Sequence, residues 1–389
     1  MKSNYRYIVK AFMAMAVIAG TTSCDDFLDR EPMSSISPET YYSTAAQLEA
    51  NLNDEYPNVL PSFGQWTYGI FGEDKGTDNQ IEVNANDRYT QDRWKVPHSE
   101  SDNWKFERIY RINFFLSEAL PKFGEDMSGS QNTISGSVAT IKHYIGEMYF
   151  LRAYEYFKKL QLFGDFPIIN QPLADEMEAL REASKRFPRN EVARFIISDL
   201  DKAYAYMSDV DMATTRINKD AAMLVKSRVA LFEATWLQNF KGTAFVPGGE
   251  GWPGASLHNN YQYPSGNLDN EVKYFLEQAV EASKLVADKY KGSLTENTGV
   301  LQQSADDPSN PYFDMFAQED LSDVKEVLLW RQYARGLSTH NINAAAGRGN
   351  YRIGLTRGFV QNFLMKDGTP VYAHGSYADG DGYYMGDKT

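Results

Sequence analysis

Two stretches of this 389-residue chain carry side chains whose types and spacing suit the recognition of a polar ligand. The first, Ser62 to Asp102, has no sustained hydrophobic period and holds Trp66, Tyr68, Phe71, Asp74, Asp78, Asn79, Asn86, Arg88, Tyr89, Arg93 and Trp94. The second, Lys241 to Asp269, is rich in Gly and Pro and sets Trp252, Tyr261 and Tyr263 beside His258, Asn259 and Asn260. A flat ring offers a face to the C–H face of a pyranose, while amides, carboxylates and guanidinium groups take its hydroxyls. Trp66, Tyr68, Asp78, Asn79, Arg88, Tyr89, Trp94, Trp252, Tyr261 and Tyr263 are therefore the candidate ligand contacts, joined by Arg335 and Asn343 from a later polar loop. The competing expectation is that some of these aromatics fold back and pin their loops to the scaffold.

Other chemistry lacks its residues. The five histidines, His98, His143, His258, His340 and His374, form no HExxH or comparable metal-binding spacing. There is no GxSxG elbow and no Walker loop, and Asp379-Gly-Asp381-Gly lacks the later Glu of a calcium loop. No acid pair stands out for glycoside hydrolysis. No catalytic residue, metal or cofactor is expected. The formal charge of −13, or −16 once Lys2, Arg6 and Lys10 leave with an N-terminal leader, repels phosphate backbones and argues against nucleic-acid binding.

Long apolar-periodic segments must position the two insertions. Ile141 to Ile169 is the central one, with apolar side chains around most of its circumference and Gly164 as its C-terminal stop. A helix of that kind has to be surrounded. Lys158 and Lys159 are expected to sit near the negative end of its dipole. Thr44 and Gln47 form a capping box for a helix presenting Ala45, Leu48, Leu52, Tyr56 and Val59, and Pro57 and Pro61 are expected to end it. Asn103 is expected to cap Trp104 to Leu120, with Phe106, Ile109, Tyr110, Leu116 and Leu120 inward and Asn113 satisfied by a neighbouring helix. Further helices follow around Val192 to Met207, Ala222 to Trp236 and Glu271 to Tyr290, the second with Ala222, Val225, Val229, Phe232 and Trp236 in register. Glu326 to Tyr333 reads as a strand with Trp330 in the core.

The run from Glu147 to Ile169, EMYFLRAYEYFKKLQLFGDFPII, resembles the most characteristic stretch of the SusD-like (RagB/SusD) family, a FLRA-Y-YF-L helix ending in FGDVPL or a near variant. Other motifs agree in order. Phe27-Leu-Asp-Arg-Glu-Pro32 matches FLD-x-x-P, and Ile196, Asp199, Leu200 and Ala203 match I-x-x-DL-x-x-A. Lys219 to Arg228 matches K-x-AA-x-x-L-x-AR with Ser227 in place of Ala, and Phe363 to Pro370 matches F-x-M-x-DG-x-P. The resemblance spans Cys24 to Pro370.

It implies a mostly α fold of TPR-like antiparallel helix pairs with long irregular insertions and few short strands. The expected division is a lipoprotein signal peptide at 1–23 and a SusD-like domain at 24–389. Within that domain a helical scaffold covers about 44–290, and 291–389 forms an incomplete C-terminal part, since family members ordinarily continue beyond the last motif. Residues 1 to 23 combine basic positions, an apolar run and a lipobox-like Gly20-Thr-Thr-Ser-Cys24, with Thr21 where Leu is usual. Cys24, the single cysteine, is the expected lipidation site, and Asp25 and Asp26 resemble a surface-export signal. The implied protein is a non-catalytic, lipid-anchored outer-membrane glycan-binding protein facing the cell exterior and serving a SusC-like TonB-dependent transporter. A peptide-binding member of the same system is the alternative, and a glycoside hydrolase a more distant one.

Overall fold

The computed structural model describes residues 41–62, 74–82, 103–124, 126–208, 212–300, 304, 306–334, 336, 339–340 and 353–373. Nine α-helices and two short strands occur among them: α1 Ala45–Val59, β1 Gln80–Glu82, α2 Glu107–Phe123, α3 Val138–Phe163, α4 Met177–Ala183, α5 Arg189–Tyr206, α6 Lys219–Asn239, α7 Leu268–Tyr290, α8 Pro311–Met315, β2 Ile353–Leu355 and α9 Arg357–Gln361.

The long helices begin where short polar side chains can accept from orphan backbone donors. Thr44 accepts from the Gln47 amide while Gln47 reaches back to the Thr44 amide at 3.0 Å, closing the expected box. Ser137, Asn218 and Asn267 cap α3, α6 and α7 in the same way. Helix α2 departs from expectation. It starts at Glu107 with Phe106, which has no side-chain acceptor, at the N-cap position, and Asn103 lies three residues earlier with its backbone carbonyl accepting from Lys159 Nζ at 2.8 Å. Lys159 is thus buried against Asn103 and Glu155 rather than set free at the helix end. Pro57 lies within the last turn of α1, which stops at Leu60.

Helix α3 is enclosed as its all-round apolar sequence requires, and its neighbours are antiparallel hairpins. Glu55 near the end of α1 meets Arg111 near the start of α2, and the Tyr42 ring before α1 lies 5.9 Å from Lys122 Nζ near the end of α2. Tyr56 OH donates to Glu147 of α3 at 2.7 Å and accepts from the Ile217 amide at 2.9 Å. On the other side of α3, Gly146 faces Ala203 and Met207 at the end of α5, while Asp165 meets the Arg189 amide at its start. Arg189 and Glu233 join the start of α5 to the end of α6, and Asp220 and Lys289 join the start of α6 to the end of α7.

The up-and-down order puts the C-terminal ends of α3 and α6 and the N-terminal ends of α2, α5 and α7 at one end of the bundle, while the shorter α1 ends on the flank, where Leu60 and Pro61 lie beside Phe150 and Tyr154 of α3 and Leu224 of α6. Loops 164–188 and 240–267 therefore leave from the same end, and the first insertion returns there at Trp104 and Phe106, which pack on Phe166. Beyond α7 the chain is less regular. Strand β1, inside the first insertion, pairs antiparallel with β2 through Gln80↔Leu355, Ile81↔Gly354 and Glu82↔Ile353. Glu326 to Tyr333 forms no strand. It is strapped to the turn before α6, with Trp330 N donating to Thr214 O at 3.1 Å and Asn218 Nδ2 to Leu328 O at 2.6 Å. Trp330 is half-buried there. No described helix is long and apolar enough to cross a membrane.

Candidate ligand-binding surfaces

Loops 164–188 and 240–267 and the returning end of the first insertion are stapled together. Trp104, at the close of the first insertion, packs edge-on to Phe163 and Phe166 with ring centroids 4.9 Å away in each case. The Arg186 guanidinium lies 4.5 Å above the same indole. From loop 240–267, Trp252 Nε1 donates to Asp165 Oδ2 at 2.7 Å, and Asp165 Oδ1 accepts from the Arg189 amide at 2.9 Å. His258 Nε2 lies 2.7 Å from the Arg186 carbonyl. Burial raises the Asp165 pKa against the pull of the Trp252 and Arg189 hydrogen bonds.

These contacts decide the orientation of three predicted ligand residues. Trp252 is only 5% exposed, with its indole N–H committed to Asp165 and its ring stacked with His258 at 5.9 Å. Tyr261 OH exchanges hydrogen bonds with the Asn190 amide at 2.9 and 3.0 Å. Tyr263 OH donates to the Pro247 carbonyl at 2.5 Å. Trp252 is thus buried and Tyr261 and Tyr263 half-buried with each polar tip satisfied, the arrangement of the competing expectation, and together they pin 240–267 to the start of α5. Phe245 and Leu257 point outward from this loop instead.

Of the first insertion, Asp78 is exposed and Asn79 half-buried, and both backbone carbonyls accept from Thr356, the Asn79 carbonyl at 2.9 Å. Trp66, Tyr68, Arg88, Tyr89, Trp94, Arg335, Asn343 and the lipidation candidate Cys24 lie outside the described residues.

Buried ion pairs hold the scaffold beneath. Arg189 and Glu233 form a fully buried pair at 2.9 Å, with the guanidinium 4.1 Å over Trp236. Burial still raises the Glu233 pKa. Glu271 sits 2.7 Å from Arg194 Nε. Burial works against its charge, but hydrogen bonds from Arg194, Asn190 and Ser265 prevail and hold its pKa below the ordinary carboxylate value.

A separate cleft of about 830 Å³ opens on the flank where α1 ends, between α3, α6 and the 326–332 strap. Leu60, Leu224 and Leu328 supply apolar wall, and Tyr56, Tyr154 and Trp330 supply rings. Arg228 and Glu326 also line it. The sequence marked Arg228 within a motif and Glu326 as the start of an expected strand, and nothing local said they would line one cavity, which depends on the strap lying beside α6. Among the described residues no group of three or more His, Cys, Asp or Glu is placed to hold a metal ion.

A SusD-like family model, described as "Starch-binding associating with outer membrane", matches residues 26–231. SusD-like protein P25 of Formosa agariphila is 25% identical over 233 residues, covering 55% of this chain and 41% of its own length. SusD-like protein P2 of the same organism is 25% identical over 253 residues, covering 62% of this chain and 46% of its own. The chain thus spans less than half the length of these curated relatives. A SusD-like carbohydrate binding protein from Bacteroides fragilis has a similar fold, with a TM-score of 0.51 at 15% identity over 87% of this chain and 57% of that one. More than half of the residues fall within the family match, its motifs run in order, and the hairpin bundle has the same architecture: the chain belongs to the SusD-like family.

Proposed function

We propose that this chain captures glycans at the exterior face of an outer membrane and passes them to a SusC-like TonB-dependent transporter, held to the membrane by lipid on Cys24 and without catalysing a reaction. The observation that carries this reading is the match of residues 26–231 to a family described as starch-binding and outer-membrane-associated. The meeting of loops 164–188 and 240–267 with the returning end of the first insertion on a helical scaffold supports it, because loops on a fixed scaffold are the usual carriers of recognition. Trp66, Tyr68, Asp78, Asn79, Arg88, Tyr89 and Trp94 of the first insertion, with Arg335 and Asn343, are the proposed contacts. Trp252, Tyr261 and Tyr263 would act from beneath, by holding their loop.

The test is titration of the protein with a panel of soluble polysaccharides and peptide digests, read by calorimetry, with reducing ends assayed in parallel. Saturable binding of a glycan with no release of reducing ends is expected. Binding of peptides alone, of neither class, or cleavage of the bound glycan would overturn the reading.

A further inference from the structure

We propose that the flank cleft between α1, α3, α6 and the 326–332 strap is a second sugar subsite, taking part of a neutral oligosaccharide. This rests on the glycan-binding reading above but concerns a different surface from the stapled loop end. The volume, about 830 Å³, lies within the range of small-ligand sites.

Its polar groups are unspent. Arg228 is exposed on α6 and makes no hydrogen bond or ion pair with any described residue, although the protein carries a net charge of −13 and most of its buried arginines are paired. In the same lining, Glu326 has one carboxylate oxygen, Oε1, buried with no hydrogen-bond partner among the described residues. An acceptor in that state is costly. The terminal torsion of Glu is broad and roughly two-fold, so modest rotation turns either oxygen towards the cavity.

The combination selects the ligand class. A guanidinium that donates and a carboxylate that accepts complement hydroxyls, which do both. An anionic ligand would gain at Arg228 and lose at Glu326, and a cation the reverse, so neutral sugars are favoured. The rings of Tyr56 and Trp330 and the side chains of Leu60 and Leu224 suit the C–H faces of pyranoses. Trp330 is preset, since its Nε1 donates to Thr214 Oγ1 at 2.8 Å. The cleft also adjoins the root of the first insertion, where Arg331 Nη1 donates to Ser62 Oγ at 2.7 Å. A chain bound by that insertion would therefore extend into the cleft.

The experiment measures affinity for neutral hexasaccharides of glucose, galactose and mannose, with hexagalacturonate as the acidic contrast, in the intact protein and in two variants. Leu224 is 42% exposed, so Leu224→Trp fills the cleft without entering the core. We expect Leu224→Trp and Arg228→Ala each to weaken the neutral ligand about tenfold or more at unchanged melting temperature, the loss of roughly one charge-assisted contact. Hydroxyl-radical footprinting should label Leu224 in the free protein and show protection by saturating hexasaccharide. If the parent protein binds no sugar, the functional reading itself fails. If it binds but both variants match it, or if hexagalacturonate is preferred, or if Leu224 is already protected without ligand, the functional reading stands and the subsite is overturned.

Discussion

Arg152 of α3 holds Asp199 of α5 in a side-on fork, Nε to Oδ2 at 2.6 Å and Nη2 to Oδ1 at 2.8 Å, with both side chains buried. The remaining guanidinium nitrogen, Nη1, donates to Asn113 Oδ1 at 2.9 Å and to the Asn170 carbonyl at 3.1 Å, while Asn113 Nδ2 donates to the Ile169 carbonyl at 2.8 Å. Residues far apart in sequence thus tie α2, α3, α5 and the turn after α3 at one point.

Arg152→Lys keeps the charge but cannot reproduce a planar fork serving three acceptors. We expect a loss of about 3 kcal/mol, in the range for breaking a buried pair, read as a lower midpoint in urea unfolding. A midpoint equal to the parent's would show that the fork contributes nothing beyond charge.

Gly146→Ala sets helix propensity against contact. Alanine in a helix interior gains about 1 kcal/mol over glycine. A Cβ here, however, would stand 2.8 Å from both Met207 N and Met207 Cγ and 2.9 Å from the Ala203 carbonyl oxygen. Backbone atoms cannot yield as a flexible side chain does, so α3 and α5 must move apart. The net expectation is destabilisation of about 1–3 kcal/mol, measured by thermal or urea unfolding. A more stable variant would mean the two helices separate freely.

The Glu271 carboxylate carries a pH dependence. Its folded pKa is lowered, so its stabilising contribution is present above the unfolded value near 4.5 and is lost as pH falls through the lower folded value. Glu271→Gln should therefore cost about 3 kcal/mol at pH 7 and progressively less in acid. Melting curves of parent and variant from pH 7 down to pH 3 check this. A gap that stays constant with pH would contradict it.

Trp252→Phe retains a ring but deletes the donor to Asp165. The carboxylate oxygen left short of a partner is buried, and a cost of about 1–3 kcal/mol follows. Because the indole is enclosed, the variant should remove a component of tryptophan emission that acrylamide does not quench. If the lost component is readily quenched, Trp252 faces solvent and the loop is not pinned through it.

The helices were legible because their apolar periods, and for α1, α3, α6 and α7 their caps, lie in their own sequences. Thr44 with Gln47, the all-round apolar Ile141 to Leu160 and the Val192, Ile196, Leu200, Ala203, Met207 stripe all fold as their patterns state. Polarity misled where tertiary partners override it. The inward face of α6 includes Lys226 and Glu233, each paired across to α5, and is rotated from the expected Val225, Phe232 and Trp236 register. Tyr110 is 51% exposed although it shares a helix with the buried Asn113. The strand expected at Glu326 to Tyr333 failed because β propensity gives no partner strand, and the segment bonds to a turn instead.

The candidate contacts were harder still. An aromatic in a Gly-rich loop looks alike whether it faces ligand or scaffold, and only partners such as Asp165 and Asn190 reveal that Trp252 and Tyr261 turn inward. Arg228 was visible as a motif residue and Glu326 as the start of an expected strand, but neither as lining of one cleft. Their meeting depends on a strap some hundred residues further along the chain.

The pairing of β1 with β2 sets a clock on synthesis. About 270 residues separate Glu82 from Ile353. At translation rates of about 5–20 residues per second, roughly 15 to 50 seconds pass between the emergence of the two strands. Through that interval the first insertion has no strand to dock against, while α2 to α7 emerge in turn and are all available before β2. The helical array would mature first, and the insertion richest in candidate ligand contacts would be fastened last.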